Sequence, residues 1–109
     1  MKPQSAKQKG RLFQQQVRDM LLENAPDLEP DDIRSTSMGC GGEDLQLSPA
    51  ARRRYNISVE CKNQETLSVW KAFEQAQANC GDHNPVLFMK KNRKKPLVVI
   101  DAEYFISLL

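Results

Sequence analysis

The chain has 109 residues, of which 39% are apolar and 28% are charged, and its formal net charge is +2. This length suits a single domain over residues 1–109, and the composition excludes a disordered chain. The apolar runs are too short to span a membrane, and the N-terminus is too polar for a secretory signal. An odd number of cysteines excludes a full set of disulfides. We therefore expect a cytoplasmic protein with no membrane partner.

The N-terminal third predicts one amphipathic helix and a weak strand. Residues 5–24 form the helix, because apolar side chains recur there at helical spacing, namely Phe13, Val17, Met20 and Leu21. Prolines and acids in residues 26–32 end it. Residues 33–38 predict a first strand, after which Gly39, Gly41 and Gly42 break the chain.

The middle of the chain predicts two more strands. Residues 43–47 form a short one, and residues 48–54 a turn or hairpin tip with Pro49 as the breaker. Residues 55–62 alternate strictly, with Tyr, Ile, Val and Cys on one face and Asn, Ser, Glu and Lys on the other. Glu60 and Lys62 therefore share a face, and Cys61 points the other way, into the core.

The last third predicts a helix, two strands and a final helix. Residues 68–80 form the first helix, capped by Ser68 and ended by Gly81, with Val69, Phe73 and Ala76 on its inner face. Residues 85–89 and 97–100 form strands joined by a basic turn. Residues 102–109 form the final helix, whose apolar side chains cover the sheet or join a dimer interface: Tyr104, Phe105, Leu108 and Leu109. The class is α/β.

The pair Glu60 and Lys62 carries the chemistry, with a spacing of about 6.5–7 Å along the strand. An isolated pair of this kind is also typical of a surface ion pair worth about 0–1 kcal/mol. A hairpin from Asp44 to Glu60 would bring two carboxylates together, and such pairs are normally maintained by a cation or a shared proton. Mg²⁺ takes oxygen ligands, and a nearby lysine suits phosphodiester hydrolysis.

The chain resembles the PD-(D/E)XK nuclease superfamily in Asp44, in Glu60-Cys61-Lys62, and in the helix and two strands that follow. Within it, the chain is similar to small Holliday-junction resolvases of phages and archaea, through residues 9–14 (Lys-Gly-Arg-Leu-Phe-Gln), Trp70, Gln75-Ala76 and Pro85-Val86. The resemblance implies a restriction-endonuclease-like αβββαββ core with a mixed sheet flanked by helices, here with an added C-terminal helix. It also implies a Mg²⁺-dependent endonuclease that cuts branched DNA, such as Holliday junctions, as a homodimer in the cytoplasm of a phage or prokaryotic host cell.

The same resemblance assigns roles to single residues. Asp44, Glu60 and the main-chain carbonyl of Cys61 would bind Mg²⁺, for which Mn²⁺ would substitute, and Lys62 would act on the attacking water. Gln75 would be an auxiliary polar group. The chain departs from the family pattern in two places. Glu43 precedes Asp44 where proline is usual, and the N-terminal helix offers Gln14 where a glutamate usually completes the metal site; Asp19 and Glu23 are the alternatives.

Two basic clusters predict contacts to DNA phosphates, although solvated surface charge is the plain alternative. They are Arg52, Arg53 and Arg54, and then Lys90, Lys91, Arg93, Lys94 and Lys95. Zinc is a further alternative, with Cys40, Cys61, Cys80 and His83 as its possible ligands. A DNA-binding module without catalysis, and a restriction or repair nuclease on the same fold, remain open functions.

Overall fold

A computed structural model describes residues 5–36 and 42–109 of the chain. In chain order the elements are α1 (Ala6–Glu23), a 3-10 turn (Pro30–Asp32), β1 (Ile33–Ser35), β2 (Leu45–Leu47), α2 (Pro49–Arg54), β3 (Ile57–Asn63), α3 (Val69–Ala78), β4 (Asn84–Lys90), β5 (Leu97–Ile100) and α4 (Ala102–Ser107). The α/β class is confirmed, and the predicted helices and strands occur in the predicted order, with one additional helix, α2, between β2 and β3. The end of the first predicted strand, with Gly39, Cys40 and Gly41, lies outside the described residues.

The strands form two ladders. β1 and β2 pair antiparallel, with Ile33 opposite Leu47 and Ser35 opposite Leu45. The other three form a mixed sheet in the order β3-β4-β5, in which β3 and β4 are parallel and β5 is antiparallel to β4. The parallel pair requires a crossover, which α3 supplies. No helix within the described ranges is long and apolar enough to span a membrane.

Helix α1 covers one face of the three-stranded sheet. It begins at Ser5, whose Oγ accepts a hydrogen bond from the Gln8 N–H at 3.1 Å and so satisfies a free amide of the first turn. Phe13 and Val17 are buried on its inner side. They join a core that includes Ile33, Leu45, Ala51, Ile57, Val59, Cys61, Val86 and Phe88. The apolar face of β3 is thus the centre of the hydrophobic core.

Helix α3 covers the opposite face of β3 and β4. Its buried residues are Ala72 and Ala76, and such small side chains let the helix approach the sheet closely. Phe73, predicted for the inner face, is only partly buried, and Trp70 is 81% exposed. Both faces of β3 are consequently buried, and the residues that the sequence placed on its polar face, Ser58 and Glu60, lie beneath α3.

One predicted feature is wrong, and the final helix fulfils only in part the first of its two predicted roles, covering the sheet. Residues 48–54 form helix α2 rather than a turn, because Ser48 accepts a hydrogen bond from the Ala51 N–H at 3.1 Å and Pro49 occupies the first helical position, where proline is well tolerated. The final helix does not bury its apolar stripe. Of its side chains Tyr104 packs against the core, whereas Phe105 and Leu108 are 51% and 62% exposed.

Candidate active site

Asp44 is fixed to the middle of β3 through both its main chain and its side chain. Its N–H donates to the Val59 carbonyl at 2.8 Å, and its Oδ2 accepts from the Cys61 N–H at 2.7 Å. These bonds, rather than a hairpin, bring Asp44 beside Glu60. Burial raises the pKa of Asp44, and the Cys61 N–H and the Lys62 charge oppose that rise.

Glu60 is the most deeply buried charged group of the site. It is 3% exposed, whereas a surface ion pair requires an exposed carboxylate. Burial, and then repulsion from Asp44, raise its pKa from an ordinary 4.5 to about 7, against the opposing effects of Lys62 and Asn79. The alternative that Glu60 and Lys62 form a solvent-exposed ion pair therefore does not hold for Glu60.

Lys62 lies on the same face of β3, two residues further along. Its Nζ is 3.7 Å from Glu60 Oε1, and its side chain is 24% exposed. It lines a small open pocket together with residues of α3 and the preceding loop, among them Lys71 and Gln75. Gln75 therefore lines the same pocket as Lys62, and its auxiliary role stays a prediction. The Lys62 side chain contacts both the buried Glu60 and solvent.

A hard cation fits the oxygen atoms gathered here. Glu60 Oε2 is buried and has no hydrogen-bond partner among residues 5–36 and 42–109, and a buried unpaired carboxylate oxygen is costly unless something binds it. Because the N–H and C=O of one residue leave an extended strand on the same side, the Cys61 carbonyl points to the side on which its N–H meets Asp44. Asp44, Glu60 and this carbonyl would be the protein's ligands.

Magnesium is the ion that such a sparse ligand set favours. Within the described residues no group of three or more His, Cys, Asp or Glu side chains forms a metal site. Mg²⁺ commonly uses one or two carboxylates and keeps several waters, whereas structural zinc needs four protein ligands. Of the zinc candidates, Cys61 is buried in the core, Cys80 bonds the Gln77 carbonyl at 3.1 Å, and His83 contacts Asn56 at 2.7 Å; Cys40 lies outside the described residues. Burial also raises the pKa of Cys61.

Gln14 lies where α1 meets the end of β1. It is 6% exposed, and its Oε1 accepts a hydrogen bond from the Ser35 Oγ at 2.6 Å. Ser35 pairs with Leu45, the residue after Asp44, so this amide is close to the segment that carries Asp44. The alternatives do not share this position, because Asp19 pairs with Arg18 at 3.1 Å and both Asp19 and Glu23 are exposed.

The arginine triplet divides into one structural and two exposed members. Arg52 pairs with Glu43 and donates to the Ile57 carbonyl, and it is only 19% exposed in its side chain. Arg52 therefore holds the loop before Asp44 against the start of β3 instead of offering a free charge. Arg53 and Arg54 are exposed and line a pocket with Ile57 and Val86, at the opposite end of β3 from Lys62.

The second cluster lies beside the candidate site. We call residues 90–95 the basic turn; it joins β4 to β5, next to the end of β3, where Asn63 pairs with Lys90. In the part of the chain that the structure describes, its cations make no ion pair with a carboxylate: Lys90, Lys91, Arg93, Lys94 and Lys95. These charges are thus available to an outside anion.

Sequence reasoning missed Asn79. This residue ends α3, and its side chain contacts Glu60 and lowers the pKa of that carboxyl. Its carbonyl accepts from Ser58 Oγ at 3.5 Å, which ties the helix end to the polar face of β3. A polar residue near the end of a predicted helix was the available signal, but nothing in the spacing indicated that this helix end would lie over Glu60.

Comparisons with protein-family models, with curated proteins and with solved structures found no match for this chain. The likeness to a nuclease superfamily consequently rests on the residues quoted above and on the order of the elements. Burial, distances and charges of the described residues have to support any function.

Proposed function

We propose that this protein is a metal-dependent endonuclease of the PD-(D/E)XK class, with the restriction-endonuclease-like fold that the resemblance implies. The supporting observation is the buried Glu60, whose Oε2 has no partner within the described residues and which lies beside Asp44 and 3.7 Å from the Lys62 ammonium. A protein gains no stability from a buried carboxylate beside a second carboxylate that repels it, so the value of the pair lies in what it binds.

The proposed reaction is hydrolysis of a phosphodiester, in which a water oxygen attacks phosphorus and the bond to one ester oxygen breaks. Lys62 would orient that water and offset the negative charge that builds on the phosphate oxygens. Asp44, Glu60 and the Cys61 carbonyl would hold Mg²⁺, or Mn²⁺ in its place. When bound, the ion supplies Lewis-acid polarisation of the phosphate and a lower pKa for the water. Gln75 lines the Lys62 pocket and would contact the substrate.

The proposed substrate is branched DNA such as a four-way junction, and the proposed active form is a homodimer. One site cuts one strand, so two symmetric cuts need two copies related by a two-fold axis. An exposed apolar surface supports a second copy: β5 is the edge of the described three-stranded sheet, and after it Ile106, Leu108 and Leu109 are 66%, 62% and 86% exposed. Exposed apolar side chains that lie close together commonly mark an interaction surface.

The experiment is a cleavage panel on linear duplex, flap and four-way DNA at equal concentration, with Mg²⁺, with Mn²⁺ and with chelator. We expect metal-dependent nicks, paired symmetrically on the junction. Asp44→Asn should abolish cutting and retain DNA binding. Preferential cutting of linear or flap DNA would instead assign a restriction or repair role on the same fold. Absence of cleavage of every DNA by the wild type would overturn the nuclease proposal.

A second candidate, a DNA-binding module without catalysis, is favoured by Gln14. The amide bonds Ser35 at 2.6 Å at the place where related nucleases use a carboxylate, and an amide is a weaker metal ligand than a carboxylate. This candidate predicts gel-shift binding without product and no calorimetric signal for Mg²⁺. Gln14→Glu separates the two candidates, because it should create cleavage only if the native site lacks a ligand.

A further inference from the structure

Two neighbouring cavities with shared lining residues lie between Lys62 and the basic turn. The pocket that contains Lys62 also contains Gln64 and Leu67, and the same two residues line a second cavity of about 390 Å³ beneath the turn. Leu67, Met89 and Leu97 contribute apolar surface to this second cavity, and lysines of the turn form its rim. We call the two neighbouring cavities the turn groove. Its chemistry is an apolar floor with a cationic edge.

The basic turn is held in place at two points. The Gln64 N–H donates to the Lys90 carbonyl at 3.1 Å, and the Asn92 N–H donates to Glu65 Oε2 at 2.6 Å. Within the turn, the Lys94 N–H bonds the Lys91 carbonyl at 3.2 Å. The turn is therefore a fixed wall of the groove, and a single carboxylate fastens its outer part.

The position of Glu65 is unfavourable for anion binding by charge alone. A carboxylate in the wall of a groove lined by lysines lowers the positive potential there, and Coulomb's law predicts weaker binding of any polyanion. The hydrogen bond from Asn92 to Glu65 compensates for this charge, because it fixes the turn that carries the lysines. A lysine on a fixed turn loses less side-chain and loop entropy on binding a phosphate than one on a mobile turn.

We propose that the turn groove binds an unpaired DNA strand next to the cleavage site, and that Glu65 is the positioning residue that holds the basic turn over it. This inference rests on the proposed nuclease function. The phosphates lie along the lysines, and the unstacked sugar or base lies on the floor of Leu67, Met89 and Leu97. A duplex presents mainly phosphates, so an apolar floor favours a strand whose bases are free.

The test compares a fluorescent single-stranded oligonucleotide with a blunt duplex by anisotropy, in chelator, so that binding is measured without cleavage. Glu65→Ala should weaken single-strand binding about fivefold, near the effect of losing one phosphate contact, and change duplex binding little. Glu65→Gln should restore binding, because its amide oxygen still accepts the Asn92 N–H. Glu74→Ala removes an equal charge from helix α3, outside the turn groove, and should not weaken binding.

Each outcome of the test is decisive. Equal loss for both DNAs, no loss, or tighter binding in Glu65→Ala overturns the proposal, and so does failure of Glu65→Gln to restore binding. Circular dichroism verifies that the variants are folded. If the variants differ from the wild type in binding as expected but the wild type cuts no DNA, the nuclease proposal fails and the groove proposal stands. If it cuts DNA but Glu65→Ala binds as the wild type does, the groove fails alone.

Discussion

The two faces of β3 are both buried, yet they have opposite chemistry. The face toward α1 presents Ile57, Val59 and Cys61 to the hydrophobic core. The face toward α3 presents Ser58 and Glu60, with exposures of 2% and 3%, and leads to Lys62. Removing apolar side chains from water stabilises the fold, whereas removing a carboxylate destabilises it unless a partner compensates.

The difference assigns separate tasks to the two faces. Burial of the α1 face stabilises the domain. The α3 face lowers that stability, because it keeps two like charges close to each other. The raised pKa of Glu60, about 7, is the measurable sign of this cost. A surface evolved only for stability would carry an apolar residue at that position, as buried ion pairs are often replaced without loss.

The largest expected effect concerns the α3 face and activity. Lys62→Ala should lower cleavage by a thousandfold or more, about 4 kcal/mol of barrier, because it removes the charge nearest the attacked phosphate. Single-turnover cleavage of a labelled junction measures this. Lys71→Ala is the matched control, since Lys71 lines the same pocket without pairing with Glu60. Equal losses in both variants would remove the special role of Lys62.

The next effect concerns the α1 face and stability. Phe13→Ala should lower the free energy of unfolding by about 3–5 kcal/mol, because Phe13 is 1% exposed and its removal leaves a cavity beside Val17 and Val59. Urea unfolding followed by circular dichroism measures this. Trp70→Ala removes a larger ring that is 81% exposed and should stay within about 0.5 kcal/mol of the wild type. A larger loss for Trp70→Ala would contradict the assignment of the core.

The third effect is a pH dependence that only the α3 face predicts. The folded protein holds the Glu60 proton to about pH 7, against an ordinary pKa of 4.5. Because the folded state binds that proton more tightly, its contribution to stability is complete below pH 4.5 and is lost as the pH rises to about 7, by at most about 3 kcal/mol. The pKa of Asp44 is also raised, so it acts in the same direction.

Glu60→Gln isolates this contribution. Its free energy of unfolding in chelator should lack the Glu60 share of the decline between pH 4.5 and 7 and keep the Asp44 share, so that above pH 7 the variant is more stable than the wild type. Urea titrations at pH 5, 6, 7 and 8 measure this, and Glu74→Gln on an exposed part of α3 should keep the wild-type decline. Identical pH profiles for Glu60→Gln and the wild type would contradict the burial of a strained carboxylate.

The smallest effect compares the basic groups that flank the two faces. The α3 face leads to the basic turn, whereas Arg53 and Arg54 lie in a pocket with Ile57 on the α1 side. With about six phosphate contacts, log affinity should fall against log salt with a slope near −5. Replacing Lys91 and Lys94 by Ala should reduce that slope by about 2, and replacing Arg53 and Arg54 should change it less. The reverse order would place the DNA on the α1 side.

Local patterns in the sequence predicted most of the fold. Helical spacing predicted α1, and strict alternation predicted β3, because burial on one side of an element repeats with the period of that element. The turn predicted for residues 48–54 was wrong. Pro49 indicated a break in the chain, but a serine followed by a proline can also begin a helix. The exposure of α4 could not be predicted either, because an apolar stripe has the same sequence whether it meets the core or a partner.

The residues of the candidate site were named from the sequence, and their roles stay predictions; their arrangement was predicted only in part. Alternation correctly placed Glu60 and Lys62 on one face, now seen at 3.7 Å between charged atoms. It did not indicate that this face would be buried, because burial depends on where α3 packs. Nor did it distinguish Arg52, which pairs with Glu43 inside the fold, from its exposed neighbours. Such differences arise from contacts between residues distant in the sequence.

The double attachment of Asp44 to β3 has a consequence for motion. The bonds to the Val59 carbonyl and the Cys61 N–H bridge the two ladders at the point where the carboxylates meet. A local opening that separates the ladders would disassemble the site, so the fraction of competent molecules equals the fraction with this bridge closed. Hydrogen exchange at the Asp44 and Cys61 amides reports that opening, and a bound cation should slow both by linkage.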